Sequence, residues 1–217
     1  MSASIQAPSV VVVPVKQGHL AKTRLAGSAG RHRADLARAF AADCVVAALR
    51  CPSVTSVVAV TDDVAAGVLL SGLGAVVVPD TPDAGLNPAL EHGAAWARDT
   101  WPGCRVTVLS ADLPALRPDE LSAALRNAEA QPRAFVADAA GTGTTLLTAG
   151  PGSPLRARFG RASRAAHRAG GAVELESLVA PGLRRDVDTD VDLWDAVRLG
   201  VGAHTAAVLT QMRSPGR

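Results

Sequence analysis

One short segment, residues 106–116, constrains the fold of this chain more than any other part of the sequence. It begins with V-T-V-L, a run of β-branched and apolar residues that is typical of a strand buried on both faces. Ser110 ends the run, a carboxylate follows at Asp112, and Pro118 suits the first position of a helix. An acid at the carboxyl end of a central strand is typical of the active sites of open α/β sheets. An isolated aspartate more often only caps a turn, so this segment alone favours the simpler role.

The rest of the chain alternates between strand and helix patterns, without an internal repeat. This alternation predicts a single α/β sandwich with a mostly parallel sheet. We expect one domain over residues 9–202, with flexible segments at 1–8 and 203–217. The predicted strands are 9–15, 54–60, 75–78, 106–109, 134–137, 144–148, 173–175 and 183–187. The predicted helices are 33–49, 64–71, 88–98, 118–129, 163–169 and 190–199, with Asn87 as the N-cap of the third and Thr189 as that of the last.

Composition argues against several classes of protein. The 217 residues are 48% hydrophobic but only 3% aromatic, so the core must consist largely of Ala, Val and Leu. A net charge of +2 favours neither a nucleic-acid partner nor a membrane surface. The three cysteines lack the spacing of a zinc site, and the sequence has neither a signal-peptide pattern nor a membrane-spanning stretch. We therefore expect a cytoplasmic protein with reduced thiols.

Common catalytic motifs are also missing. No G-x-G-x-x-G follows the first predicted strand, and no G-x-x-x-x-G-K-[ST] loop occurs, which disfavours a nicotinamide-binding fold and a P-loop enzyme. No G-x-S-x-G elbow is found, and the five histidines have no metal-ligand spacing. The remaining candidates are acids at strand ends, basic residues after the first strand, and a segment rich in Arg, Ser and Gly.

The acids after the last predicted strand could join Asp112. If 183–188 is extended, Asp186 and Asp188 point to the same face. Mg²⁺ is usually bound by one or two carboxylates together with phosphate oxygens and water. For Asp188 we favour a metal ligand over a cap of the last helix, whereas the neighbouring acids 190 and 192 are better explained as residues that cap and charge that helix.

The basic residues after the first strand form the second candidate group. Of the 22 Lys and Arg residues only two are lysines, Lys16 and Lys22, and both lie with Arg24 in the first strand-to-helix loop. A loop in this position could hold a triphosphate. In a chain that otherwise uses Arg, two neighbouring lysines indicate a place where an ammonium group matters, because ammonium and guanidinium groups bind phosphate in different ways and are not interchangeable. A solvated basic loop explains the charges equally well.

Glycine and small polar residues form the third group. Gly160 and Ser163 would leave backbone N–H groups free before a late helix, a ready site for an anion, although Ser163 could be an ordinary N-cap. Gly143 and Thr145 could bring backbone and a hydroxyl close to a ligand, or merely form a bulge.

Taken together, the motifs resemble those of the guanylyltransferases of coenzyme F-420 biosynthesis over about residues 9–200. The archaeal members act on 2-phospho-L-lactate and the actinobacterial members on phosphoenolpyruvate. The K-x-x-x-x-x-K-T-R-L loop is the most telling motif, because relatives that handle sugars or molybdopterin usually carry an Ala/Gly-rich stretch there. The matching motifs are V-V-P-V-K-x-x-x-x-A-K-T-R-L at 12–25, V-T-D-D at 60–63, G-L-N-P-A-L at 85–90, S-A-D-L-P at 110–114, G-T-G-T-T-L-L at 141–147, F-G-x-x-S-x-x-x-H at 159–167 and D-V-D-T-x-x-D-L at 186–193.

The resemblance implies a three-layer α/β/α sandwich of the glycosyltransferase-A-like nucleotidyltransferase type, with a mixed sheet. It implies Asp112 and Asp188 as Mg²⁺ ligands, with Asp186 a third. Catalytic contacts to the triphosphate of GTP would come from Lys16, Lys22 and Arg24, and further nucleotide contacts from Asp62, Gly85 and Asn87. The phosphorylated three-carbon acid would bind Thr145, Gly160 and Ser163.

We therefore expect transfer of GMP from GTP to phosphoenolpyruvate, with a downstream transferase of the same pathway as a candidate partner. The preference for phosphoenolpyruvate over 2-phospho-L-lactate rests on the Arg- and Ala-rich composition, which suggests a GC-rich genome. The alternatives are a nucleotidyltransferase for a sugar phosphate or the molybdenum cofactor, and a non-catalytic nucleotide-binding protein.

Overall fold

The centre of the molecule is a mixed β-sheet. The structure, a computed structural model, describes residues 8–15, 30–81 and 83–213, and within them the sheet has seven strands in the order β3-β2-β1-β4-β6-β5-β7. All neighbouring strands are parallel except β6, which runs antiparallel to both β4 and β5. The strands are β1 (Ser9–Pro14), β2 (Val54–Val60), β3 (Val76–Val78), β4 (Arg105–Leu109), β5 (Arg133–Ala137), β6 (Thr144–Ala149) and β7 (Val173–Glu174). The prediction of a mostly parallel mixed sheet is confirmed.

Helices cover both faces of the sheet. The described residues form a 3₁₀ turn at Gly30–His32 and the helices α1 (Arg33–Leu49), α2 (Val64–Gly72), α3 (Leu86–Thr100), α4 (Pro118–Ala128), α5 (Ser163–Ala169), α6 (Pro181–Arg184), α7 (Asp190–Leu199) and α8 (Ala203–Arg213). One core joins the sheet to α1, α2, α4 and α6, and a second joins it to α3. Both are built mainly from Val, Ala and Leu, as the composition predicts. None of the described helices is long and apolar enough to cross a membrane.

Helix α3 packs on the sheet at a position where Gly93 has no side chain. A Cβ atom at this position would lie 2.6 Å from Cγ2 of Val60 and 2.7 Å from Cγ1 of Val12. The glycine therefore allows α3 to pack directly on β1 and β2.

The strand order places a crevice between β1 and β4. Strand β1 has β2 on one side and β4 on the other, so the chain leaves these two neighbouring strands in opposite directions across the sheet. Ligands of open α/β sheets bind at such a point, outside the carboxyl ends of the strands. Asp112 follows β4 at this position.

The predicted strand 183–187 is wrong. Residues 181–184 form the short helix α6, and the chain then runs irregularly to the N-cap of α7. Pro181 occupies the first turn of α6, and the Gly182 N–H donates to Glu120 Oε1 at 2.9 Å. Leu183 and Val187 are both buried, so the spacing of the apolar residues reflects a helical turn and a buried loop instead of an alternating strand.

The C-terminal segment also differs from the prediction. Residues 203–213 form α8, which packs against α1, whereas the sequence predicted a flexible segment over 203–217. The carboxylate of Asp43, a buried residue of α1, accepts the N–H groups of His204 at 3.0 Å and Thr205 at 2.9 Å. This carboxylate caps α8 from a distant part of the chain. Residues 1–7 and 214–217 lie outside the described residues.

Candidate active site

Asp112 lies in a loop whose backbone is fixed by two other elements. Its carbonyl oxygen accepts the N–H of Val187 at 3.0 Å. The adjacent residue, Leu113, has its N–H at 3.3 Å from Sγ of Cys44, and the same thiol donates to the Leu113 carbonyl at 3.4 Å. Cys44 is fully buried in α1. The orientation of the Asp112 backbone is therefore set by α1 on one side and by the chain before α7 on the other.

The bond from Val187 brings a second acidic segment to Asp112. We call residues 110–114 and 185–189 together the carboxylate loops. Burial, followed by the neighbouring carboxylates of Asp112, Asp138 and Asp188, raises the pKa of Asp186 to about 7. The structure thus brings together the three acids that the sequence selected and adds a fourth, Asp138, which sequence reasoning missed.

Asp138 supports the turn that follows β5. One carboxylate oxygen accepts the N–H of Thr142 and the other accepts the N–H of Gly143, both at 2.8 Å. A Cβ atom on Gly143 would lie 2.4 Å from Oδ2 of Asp138, so a larger residue here would require the Asp138 carboxylate to move. The available sequence signal was an acid at a strand end followed by the turn-forming G-T-G.

The negative charge of these carboxylates suits a divalent cation, but their side chains do not form a complete set of metal ligands. Within residues 8–15, 30–81 and 83–213, no three His, Cys, Asp or Glu side chains form a set arranged to hold a metal ion. Mg²⁺ does not need such a set, because substrate phosphates and water complete its octahedron. The raised pKa of Asp186 reflects first its burial and then the negative charge of the neighbouring carboxylates, and a bound cation would offset that charge.

Thr145 is the extra residue of a β-bulge beside these acids. Val136 of β5 pairs with Leu146 and Ala137 pairs with Thr144, which leaves Thr145 without an opposite residue. Its carbonyl accepts the N–H of Ser110 at 2.9 Å, directly before the loop of Asp112. Its hydroxyl is buried and has no hydrogen-bond partner among the described residues. The bulge, one of the two alternatives for this stretch, is therefore present, and bulges commonly direct a side chain into a neighbouring site.

Gly160 and Ser163 lie at the entrance of α5. The N-cap of this helix is Ala162, whose left-handed φ of 57° is unusual for a residue other than glycine. Ser163 is instead the first helical residue and is 2% exposed, so the alternative that made it an ordinary N-cap is wrong. Strained backbone of this kind is found often at ligand-binding sites.

The predicted nucleotide-binding residues are only partly described. Lys16, Lys22 and Arg24 lie outside the described residues. Asp62 follows β2 and is exposed, and its carboxylate accepts the N–H of Asp80 at 3.0 Å, which joins the ends of β2 and β3. Gly85 is the N-cap of α3, with a φ of 99°.

Asn87 is not the N-cap of α3, because the helix begins one residue before it, at Leu86. The amide of Asn87 instead bridges to the backbone of Phe159. Its Nδ2 donates to the Phe159 carbonyl at 3.0 Å, and its Oδ1 accepts the Phe159 N–H at 2.7 Å.

His167 is a buried neutral histidine next to the predicted acceptor residues. Its Nε2 accepts the N–H of Arg158 at 3.0 Å, so Nδ1 carries the proton and donates to the Thr144 hydroxyl at 2.9 Å. Burial, followed by the charges of Arg133 and Arg158, lowers the pKa of His167 to about 4. The resemblance includes His167 in its motif, but sequence reasoning gave it no role.

The fold is that of a nucleotidyltransferase. A nucleotidyl transferase from Methanothermobacter superposes with a TM-score of 0.63 at 18% identity, covering 88% of this chain and 97% of that one. The sequence then places the chain more closely, because residues 9–214 match the family described as CofC-like guanylyl transferases. The chain belongs to this family.

Curated relatives match nearly the whole chain. A phosphoenolpyruvate guanylyltransferase from Thermomonospora curvata is 55% identical, over 95% of this chain and 91% of the relative. A second phosphoenolpyruvate guanylyltransferase, from Streptomyces coelicolor, is 53% identical, over 95% of this chain and 98% of the relative.

Proposed function

We propose that this protein transfers GMP from GTP to phosphoenolpyruvate in coenzyme F-420 biosynthesis, forming enolpyruvoyl-2-diphospho-5′-guanosine and pyrophosphate. The observation that carries this proposal is the match to relatives named phosphoenolpyruvate guanylyltransferase, at 55% and 53% identity over nearly the full length. The grouping of acids at the carboxyl end of β4 supports it, since this is where the fold binds its ligands.

The chemistry suits a site without a general base. An oxygen of the phosphate monoester attacks the α-phosphorus of GTP, and the bond from that phosphorus to the bridging oxygen of the departing pyrophosphate breaks. The attacking group is already ionised at neutral pH, so no side chain has to remove a proton from it. The main barrier is the approach of two anions, which positioning and charge neutralisation lower.

We propose that Asp112 and Asp188 hold Mg²⁺, with Asp186 as a further ligand. The bound ion would neutralise the phosphates and orient them. The buried Asp186 beside three other carboxylates supports this assignment, because the local excess of negative charge favours a cation. Asp138 would shape the neighbouring turn through the N–H groups of residues 142 and 143.

The acceptor would bind on the other side of these acids, at Thr145, Gly160 and Ser163. The buried hydroxyl of Thr145, which has no partner within the described part of the chain, supports this placement because an acceptor oxygen could satisfy it. Lys16, Lys22 and Arg24 would contact the triphosphate, and Asp62, Gly85 and Asn87 would lie on the nucleotide side. We further propose that the protein acts in the cytoplasm and supplies a downstream transferase of the pathway.

Pyrophosphate release tests the proposed function directly. The purified protein is incubated with GTP and Mg²⁺, and phosphoenolpyruvate, 2-phospho-L-lactate or a hexose 1-phosphate is added separately. We expect the highest kcat/KM with phosphoenolpyruvate. A higher kcat/KM with 2-phospho-L-lactate would show that this acid is the acceptor in place of phosphoenolpyruvate. A higher kcat/KM with the sugar phosphate would place the protein among the sugar-phosphate nucleotidyltransferases. Mg²⁺-dependent GTP binding without turnover would show a non-catalytic protein.

A further inference from the structure

Three consecutive backbone N–H groups, those of residues 157–159, each donate to a side chain from a helix. Glu91 Oε1 accepts the first at 2.6 Å, His167 Nε2 the second at 3.0 Å, and Asn87 Oδ1 the third at 2.7 Å. Asn87 and Glu91 are one turn apart on α3, whereas His167 belongs to α5. The backbone of this loop is thus held from two helices, although loop N–H groups are usually bonded to water or to neighbouring backbone.

The types of these side chains suit the positions they occupy. The pKa of Arg133 is lowered by burial and by the charges of Arg156 and Arg158, and the carboxylate of Glu91 acts to raise it. Glu91 therefore lies close to several arginine side chains. The ring of Phe159 packs edge-on against His167, with 5.1 Å between the ring centres. A charged acceptor and an aromatic contact together make this a strongly fixed piece of loop.

The loop connects the two predicted halves of the site. Helix α3 begins directly after the Gly85 turn, on the nucleotide side. Residues 157–159 lead directly into Gly160 and Ser163, on the acceptor side. A contact between α3 and residues 157–159 therefore sets the position of the acceptor residues relative to the nucleotide.

We propose that Asn87, Glu91 and His167 are positioning residues that fix the 157–163 segment for the acceptor. Asn87 then contributes to the reaction through Phe159 and not through contact with the guanine base, because two hydrogen bonds hold its amide on the Phe159 backbone. This inference rests on the proposed function, in which Gly160 and Ser163 bind the acceptor.

Kinetics of Asn87→Ala separate the two roles of this residue. We expect the KM for the acceptor to rise roughly tenfold, as loss of hydrogen bonds worth about 1.4 kcal/mol would produce. The KM for GTP and the preference for GTP over ATP should stay within about twofold of the original values. A raised KM for GTP or a relaxed base preference, with an unchanged KM for the acceptor, would overturn the inference.

Glu91 offers a conservative rescue. Glu91→Gln keeps an oxygen that can accept the N–H of residue 157, whereas Glu91→Ala does not. We expect the alanine variant to raise the KM for the acceptor and the glutamine variant to restore most of the original value. Equal effects of the two variants on this KM would contradict a role through that hydrogen bond.

Arg98→Ala is the matched control. Arg98 also belongs to α3 and donates to the Ser153 carbonyl at 2.8 Å, so its removal deletes a contact of the same kind farther from Gly160. We expect lower thermal stability in this variant and no change in either KM. If Arg98→Ala raises the acceptor KM as much as Asn87→Ala does, the change in KM comes from general loosening of the loop, and the inference is wrong.

Hydrogen exchange gives a result that is independent of turnover. The amides of residues 157–160 should exchange at least fivefold faster in Asn87→Ala than in the original protein, and at the original rate in Arg98→Ala. If another acid proves to be the acceptor, the KM values of the variants are measured with that acid, and the same results support or overturn the inference. If no acid is turned over, the proposed function fails, and unchanged exchange or weakened GTP binding in Asn87→Ala would then overturn this inference as well.

Discussion

The carboxylate loops and the 157–163 segment carry the two proposed sides, or flanks, of the site but are held in place by different means. The carboxylate loops are held by backbone bonds, from the Val187 N–H to the Asp112 carbonyl and from the Gly202 N–H to the Pro114 carbonyl, with additional side-chain bonds from Cys44 and Asp192. The 157–163 segment is fixed by side chains of two helices. Single substitutions can therefore release the second flank one bond at a time, whereas the first flank should change mainly when an acid or a tightly packed residue is replaced.

The largest effect is expected for Asp112→Asn. If this carboxylate holds the metal, its loss should lower kcat about 10³-fold, equivalent to roughly 4 kcal/mol, while the fold persists. Asp119→Asn serves as the control, because Asp119 is an exposed acid in the first turn of α4, soon after the same strand. Circular dichroism and thermal melts would show that both variants are folded, and near-normal turnover of Asp112→Asn would refute the metal assignment.

The next largest effect concerns pH and the second flank. The pKa of His167 is lowered to about 4 in the folded protein, against about 6.5 in an unfolded chain. Between these values the unfolded chain binds more protons, so stability should fall as the pH drops from about 6.5 towards 4, by up to about 3 kcal/mol. Asp186, whose pKa is raised to about 7, has the opposite effect, because its protonation stabilises the folded protein as the pH falls below that value.

Urea unfolding of the original protein and of His167→Gln isolates the histidine. Asp186 and all other acids are common to both proteins, so their contributions cancel in the difference between the two unfolding free energies. We expect this difference to shrink or change sign between pH 7 and pH 4, because only the original protein carries the histidine. Parallel stability curves would show that His167 is not kept neutral by the fold.

The two flanks also differ in how far the sequence could predict them. The grouping of Asp112 with Asp186 and Asp188 follows from their positions at the ends of buried segments, even though 183–187 is not a strand. Helices α1 and α5 and strand β2 were predicted with the bounds that the structure shows, because breakers such as Pro52 and Gly170 mark their ends locally.

The parts that sequence reasoning missed depend on contacts between distant residues. Asn87 meets Phe159 across 72 positions, and Asp43 caps the N–H of His204 across 161. No local pattern carries such pairings, so Asn87 resembled an N-cap and 203–213 resembled a flexible tail. Helix α6 was missed for the same reason, since its Gly182 N–H is satisfied by the carboxylate of Glu120.

A third prediction tests the tight packing of α6 against the chain directly after residues 110–114. A Cβ atom at Gly182 would lie 2.2 Å from the Ala115 carbonyl oxygen and 2.6 Å from Oε2 of Glu120. Gly182→Ala should therefore destabilise the protein by about 2 kcal/mol, because α6 must move away from α4. Gly72→Ala is the control, since a Cβ there meets nothing within 4 Å. Equal unfolding free energies for the two variants would show that α6 is free to shift.

The smallest effect is expected at Cys44, where a side chain does support the carboxylate loops. Cys44→Ala removes both thiol contacts to the Leu113 backbone, and thiol hydrogen bonds are weak, so we expect kcat to fall only about threefold. Cys104→Ala is the matched control, because Cys104 is equally buried but lies before β4, at the opposite end of that strand from Asp112. Cys44→Ser, which keeps a donor and an acceptor, should recover part of the kcat. If Cys44→Ala lowers kcat as much as Asn87→Ala raises the acceptor KM, both flanks depend on side chains to the same degree, and the backbone bonds to Asp112 and Pro114 do not suffice to hold the acids.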